Sequence, residues 1–376
     1  MSSHADLGPR LGKVLVITGC WTALLALTYV STYLLIGDLI AFGKLSGNYA
    51  FWPDFAGNFI VGVLGGLVGG SLLVFKVNPG YRHETFLSGI VHSVVLFLTV
   101  YVSFTVFIVF AMPFVLHLIR GGTGSALVSG WSNVVANVYT PSFLLSTAIF
   151  GLLVSSTQFM LQVNDKFGPG VLWKLLTGKY YHPRDEERVF LFLDLRSSTE
   201  IAESIGHKRF FELLRELFQD VTKPIVDSRG DIYQYVGDEV IVSWPSQRAF
   251  QEGNCIECFF RIERAIAARS AVYRERFGLV PGVKAGIHVG EATVGEIGVV
   301  KKDIVFSGDV LNTTSRIQQE CNRYDVNLLA SSELLRRMPL GPAYVSVPVG
   351  EILLRGKAEA LSLNAIQAST AVHAVA

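Results

Sequence analysis

Charge is scarce in this chain: Asp, Glu, Lys and Arg make up 17% of its 376 residues, against 50% hydrophobic residues. The two signs nearly cancel, at a formal net charge of +1. No basic excess is available to hold a nucleic acid, so a nucleic-acid partner is not expected. Cysteine is scarce too. Cys20 falls in an apolar run and Cys255, Cys258 and Cys321 fall in the polar half, which excludes a disulfide framework and fits a reducing compartment for that half. The length itself corresponds to two or three domains.

The missing charge is missing from particular places. Four stretches, Val14–Ile36, Phe59–Phe75, Ile90–Ile119 and Pro141–Leu161, contain no Asp, Glu, Lys or Arg and are each close to the length that crosses a bilayer. The first is too long for a signal-peptide core and reads as a retained span. Basic residues gather at alternate ends: Arg10 and Lys13 before the first span, Lys76 and Arg82 after the second, Lys166, Lys174 and Lys179 after the fourth. That bias predicts cytoplasmic termini and a cytoplasmic polar half, with Lys44 and Arg120 opposite. Gly62, Gly66 and Gly70 recur every four residues, a face for close helix approach, either within the bundle or to a second copy. His92 and His117 flank the third span, too far apart to ligate one ion together.

A junction follows. Pro169 and Gly170 end the fourth span, and Val171–Leu176 reads as a short interfacial helix with Trp173 at headgroup level. The chain thus divides into a four-span domain at 1–163, a junction at 164–187, a globular domain at 188–367 and a tail at 368–376.

In the globular part, Arg188–Leu195 is an apolar run of strand length that carries Asp194 near its end. Ser197 with Glu200 fits a capping box. Phe210, Leu213, Leu214, Leu217, Phe218 and Val221 keep helical spacing. Residues 231–244 read as a hairpin turning at Gly237-Asp238. A helix over 249–277, strands at 283–289 and 304–306, a helix over 310–324 and a strand at 326–330 complete the pattern. The order strand, helix, hairpin, helix, strand is an α+β, ferredoxin-like arrangement. It makes the first and third strands antiparallel neighbours, so Asp194 and Asp238 meet at one sheet edge.

Two carboxylates side by side need a positive partner. A divalent cation such as Mg²⁺ takes one or two carboxylates and completes its shell with phosphate oxygens. The start of the helix after Asp194 offers backbone N–H groups to phosphate. Asn312 and Arg316, four residues apart, share a helix face and suit a ribose and a phosphate. Each feature alone is as well explained by a strand end, a turn or a solvated face. Cys255 and Cys258 sit in a helical apolar pattern, with no second pair that zinc would need. His288, with no Ser or Cys partner evident, is assigned no catalytic role.

Phe192-Leu-Asp-Leu-Arg-Ser-Ser-Thr199, Tyr235-Val-Gly-Asp-Glu-Val240, Gly286-Ile-His-Val-Gly290 and Gly308-Asp-Val-Leu-Asn-Thr-Thr-Ser-Arg316 together resemble the class III adenylate/guanylate cyclase catalytic domain over residues 188–363. The resemblance implies a head-to-tail homodimer in which one subunit's Asp194 and Asp238 hold two Mg²⁺ or Mn²⁺ ions. It implies Asn312 on the ribose and Arg316 on the transition-state phosphate, both from the other subunit. It implies Ser197, Ser198 and Thr199 around the triphosphate and Lys357 on a phosphate. The 3′-hydroxyl of a nucleoside triphosphate then attacks the α-phosphorus and pyrophosphate leaves. The implied whole is a multi-pass protein of a bacterial inner or plasma membrane with its catalytic domain in the cytoplasm.

The base-reading positions of that family fall on Gln234 and Val305, where its usual Lys and Asp or Thr are absent. ATP is the expected substrate, with GTP or a pyrimidine triphosphate as alternatives. Val236-Gly-Asp-Glu-Val240 also resembles the diguanylate cyclase signature, without its first Gly and its Phe. A receptor whose cyclase-like domain is inactive is the reading outside the enzymes.

Overall fold

The computed structural model describes residues 4–42, 51–77, 85–119, 126–168, 174, 177–300, 302–338, 340–353 and 360–369. It divides into two compact units, Met1–Leu172 and Trp173–Ala376.

The first unit is all-α: α1 (His4–Ala41), α2 (Phe51–Leu72), α3 (Phe86–Ile119), α4 (Ala126–Val138) and α5 (Pro141–Phe167). Four of these are long and apolar enough to cross a membrane, over Arg10–Ala41, Phe55–Val77, Phe86–Ala111 and Phe143–Lys166. α4, with 13 residues, is too short to span and was not expected from the sequence. α2 continues into a π-helical turn at Leu73–Val77.

Lys13 pairs with Asp165 at 3.3 Å, the Arg10 guanidinium lies over the Phe75 ring, and the Lys166 ammonium lies over Phe86. These contacts bring the start of α1, the end of α2, the start of α3 and the end of α5 to one end of the bundle. The basic residues Arg10, Lys13, Lys76 and Lys166 therefore collect there. The glycine face of α2 is filled from within the chain. A Cβ on Gly66 would meet the Thr18 backbone at 2.6 Å, and one on Gly62 the Thr22 backbone at 2.9 Å. α1 packs on that face. Further in, Gln158 is 0% exposed, and neither its amide oxygen nor its nitrogen has a hydrogen-bond partner among the described residues.

The second unit is α+β. Its elements in order are β1 (Arg184–Leu195), α6 (Ser198–Ile205), α7 (His207–Asp227), β2 (Asp231–Val236), β3 (Glu239–Pro245), α8 (Ser246–Phe250), α9 (Asn254–Ala268), α10 (Ser270–Phe277), β4 (Val283–Ile297), β5 (Asp303–Ser307), α11 (Asp309–Glu320), β6 (Leu328–Ser331), α12 (Ser332–Arg337), β7 (Tyr344–Leu353) and β8 (Ala360–Ala368). The sheet runs β2-β3-β1-β4-β6-β8-β7, with β5 pairing β4 off that path. As the ferredoxin-like order requires, β1 and β3 are antiparallel neighbours, with Leu193 opposite Val240.

One sheet face buries the main core. Leu213, Leu217 and Val221 of α7 and Cys255, Phe259 and Ile262 of α9 pack on Leu191, Val242 and Ile287. Cys255 and Cys258 are thus core residues, and burial pushes the Cys255 thiol up to about 12. On the other face, Phe190, Phe192 and Ile241 meet Val310 of α11, with Tyr233 and Phe306 at the margin. α11 sits close because β4 carries glycine beneath it. A Cβ on Gly286 would lie 2.3 Å from the Gln318 backbone nitrogen.

Six expectations change. β1 begins at Arg184, inside the junction expected at 164–187, and β4 runs on to Ile297, past the strand expected at 283–289. The helix over 249–277 is three helices, broken at Gln251–Gly253, where Glu252 and Gly253 both take positive φ, and again at Arg269. The helix expected to reach residue 324 ends at Glu320. Ser197 is left-handed at φ 53 and its side chain makes no cap bond, so the capping box does not form. His288 does have a serine partner, Ser331 at 2.8 Å. That serine is the buried N-cap of α12, accepting from the Leu334 N–H, so the pair is structural. Arg82, Lys44, Arg120, Trp173 and the Val171–Leu176 segment, except Lys174, lie outside the described residues.

Candidate active site

Asp194 stands near the end of β1, which is buried over Phe190–Leu193 because the strand runs through the middle of the sheet. Asp238 is the second residue of a two-residue turn. Gly237 supplies the positive φ of 64° that such a tight hairpin needs, and β3 resumes at Glu239. Leu193 faces Val240, so carrying the β1–β3 register on brings Glu239 opposite Asp194 and Asp238 one residue beyond it, in the turn, at the sheet edge where the topology led one to expect the two aspartates.

They are near enough for their charges to interact. Burial first, and then the Asp238 charge, hold the Asp194 carboxyl above its ordinary range. Glu239 is pushed up to about 7 by burial and by the Asp194 and Asp238 charges. Three acids thus crowd one corner of the sheet. Asp238 Oδ2 is buried and has no hydrogen-bond partner among the described residues. A buried oxygen of this kind costs free energy unless something positive reaches it.

The donor set is all oxygen, which suits a hard divalent cation. Among the described residues no three His, Cys, Asp or Glu side chains form a complete cage. The pair therefore fits a cation that takes its remaining ligands from phosphate and water. An open groove of about 680 Å³ runs beside Asp238, walled by Phe210, Phe211, Phe218 and Tyr235.

Two residues at this corner were not singled out from the sequence. Lys284, opposite Asp194 in the β1–β4 register, places its ammonium 3.2 Å from Asp194 Oδ2. Gln318 of α11 donates to the same oxygen at 2.8 Å. Their signal is weak in sequence because a lone Lys in a strand and a Gln in a helix are ordinary.

Ser198 and Thr199 open α6 four residues on from Asp194, and Ser197 precedes them, exposed. The first N–H groups of α6 have no intrahelical acceptor and are available to an anion. Asn312 is exposed and Arg316 half-buried on α11. Helical geometry puts both roughly 120–160° round the axis from Gln318, the residue that reaches Asp194. The structure therefore brings Asp194, Asp238 and the α6 start together, while Asn312 and Arg316 point away from that corner. Gln234 is exposed on β2 and Val305 half-buried on β5. The neighbours of these two residues join the strands: Tyr233 Oη accepts from the Phe306 N–H at 3.3 Å. Lys357 lies outside the described residues.

A family model of the adenylate and guanylate cyclase catalytic domain matches residues 180–365. Adenylate cyclase 2 of Rhizobium meliloti (strain 1021) is 36% identical over 228 residues, 60% of this chain and 62% of that protein. An adenylate cyclase of Anabaena cylindrica is 25% identical over 190 residues, 47% of this chain and 36% of that one. The chain thus spans under two thirds of the length of either relative. A solved bacterial light-regulated adenylyl cyclase shares the fold, at a TM-score of 0.51 and 18% identity over 60% of this chain and 66% of that one.

Proposed function

Since residues 180–365 belong to the adenylate and guanylate cyclase catalytic domain family, we propose that this chain is a membrane-anchored nucleotidyl cyclase that converts ATP to a 3′,5′-cyclic nucleotide and pyrophosphate. The observation that carries the reading is the Asp194–Asp238 pair, with a buried and unpartnered oxygen on Asp238. Such a pair is costly in a protein that only binds or dimerises.

In this reading Asp194 and Asp238 hold two Mg²⁺ or Mn²⁺ ions. When bound, the ions supply charge to the attacking hydroxyl and to the phosphate oxygens. The α6 start, with Ser197, Ser198 and Thr199, receives the β- and γ-phosphates, as does Lys357. The 3′-oxygen forms a bond to the α-phosphorus, the bond to the β-phosphate oxygen breaks, and the hydroxyl proton leaves to solvent. Arg316 stabilises the charge that grows on the α-phosphate, and Asn312 orients the ribose.

Asn312 and Arg316 sit on the far side of α11 from their own Asp194. They therefore serve a second copy, and the active form is a homodimer with two sites. The adenine base is read at Gln234 and Val305. Gln offers both a donor and an acceptor and Val offers neither, so ATP rests on the likeness to adenylate cyclases more than on these side chains. The bundle of α1–α5 anchors the enzyme, its basic end toward the cytoplasm.

The test is product formation by the purified full-length chain with ATP, GTP, CTP or UTP and Mn²⁺, beside Asp194→Ala. Cyclic AMP from ATP alone, lost in the variant, is the expected result. A cyclic product from another triphosphate would reassign the base. No product from a folded dimer would leave a receptor with an inactive cyclase-like domain.

A further inference from the structure

Lys284 is 8% exposed in β4, with its ammonium on Asp194. A buried ammonium needs anionic or polar partners, and among the described residues this one has two. Asp194 Oδ2 lies at 3.2 Å and the Asn322 side-chain oxygen, just beyond α11, also at 3.2 Å. Asn322 is exposed, so it holds Lys284 at the rim of the corner without adding charge. Asp194, by contrast, belongs to a set of three acids with Asp238 and Glu239. Lys284 thus gives Asp194 one unit of the positive charge that a divalent cation would give it.

We propose that Lys284 is a built-in counter-ion that competes with the divalent cation for Asp194, with Asn322 as the partner that keeps it when the cation enters. This rests on the metal reading above and extends it. With Lys284 in place, the acids bind a bare cation weakly. The site fills when the cation arrives with a triphosphate, whose oxygens complete the coordination shell. The fold supplies both halves of the device. β1–β4 register places Lys284 opposite Asp194, and Gln318 fixes the carboxylate oxygen over which the two cations compete.

Mn²⁺ binding to the full-length protein in detergent, without nucleotide, tests this through the loss of the free Mn²⁺ electron paramagnetic resonance signal. Lys284→Met keeps the buried stem and removes the charge. It should bind Mn²⁺ about tenfold more tightly, roughly 1.4 kcal/mol, a fraction of the Coulomb energy of a unit charge at such range. Asn322→Ala takes away the alternative partner and should weaken binding, the opposite sign. Asp194→Asn should lose the site. Unchanged or weaker binding in Lys284→Met, with Asp194→Asn still defective, overturns the counter-ion role and leaves the metal reading standing. Binding that is no better in wild type and in Lys284→Met alike than in Asp194→Asn overturns both. If Lys284→Met does not fold, Lys284→Gln and Asn322→Ala carry the same pair of signs, and a matching sign in both overturns the proposal.

Discussion

Gln318 donates to Asp194 across 2.8 Å, so α11 and β1 are joined at the carboxylate on which the proposed chemistry depends. Gln318 is 3% exposed, so water does not readily replace it. Gln318→Leu should lower turnover roughly tenfold or more, since a hydrogen bond to a charged group is worth about 1.5–3 kcal/mol. The KM for the nucleotide should move little. Steady-state kinetics check this, and an unchanged kcat would reduce Gln318 to packing.

Gly286 has no room for a methyl group. Its Cβ would meet the Gln318 backbone nitrogen at 2.3 Å and the Thr314 carbonyl at 2.8 Å, neither of which can rotate aside. Gly286→Ala should push α11 off β4, destabilise the catalytic unit by about 1–3 kcal/mol and displace Asn312 and Arg316 with the helix. Thermal melting and turnover should fall together, whereas Gly282→Ala, with its nearest contact at 3.6 Å, should be silent.

Acidity at the site gives a pH signature. Glu239 is held at about 7, against an ordinary 4.5, and Asp194 is raised as well. A carboxyl whose pKa is higher in the fold binds protons more tightly folded than unfolded. Between about 4.5 and 7 the native state carries the extra protons, so stability falls as pH rises through that window and then levels off. The Tm of metal-free protein should drop across it. Glu239→Gln should flatten the drop, and Mn²⁺ should raise Tm more above the window than below it. A flat profile in the wild type would count against the crowded-acid corner.

Complementation reports on the dimer. A chain with Asp194→Ala and a chain with Arg316→Ala are each expected to be inactive. Mixed equally, half the dimers are hybrids and each hybrid has one intact site of two. Activity should return to about a quarter of wild type. No recovery, with subunit exchange demonstrated, would mean that both residues act within one chain.

Much of the site was legible from short-range signals. The apolar run ending at Asp194 and the Gly237-Asp238 turn are local features, and the element order alone brings them together. The parts that were not legible depend on long-range register or on backbone strain. Lys284 means nothing until β1 pairs with β4 and sets it opposite Asp194. Glu252 breaks a helix at φ 55, a conformation that its residue type gives no reason to expect. β4 runs on to Ile297 past Gly290, through polar Glu291, Thr293 and Glu296, because β1 and β5 pair with it there. The C-terminal strands β7 and β8 are absent from the sequence pattern above, since their pairing with each other and of β8 with β6 organises them.

The lone amide of Gln158 bears on how the protein is made. α5 has the lowest mean hydropathy of the four candidate spans, 1.6, and carries this glutamine in its interior. In a bilayer, an α5 helix that enters before finding its neighbours must show that amide to lipid, which polar side chains avoid. Packing against the other helices hides it. α5 is also the last of the four to leave the ribosome. In the membrane-spanning reading proposed above, its partners are already in the bilayer when it arrives, and order of synthesis shortens the time for which Gln158 faces hydrocarbon.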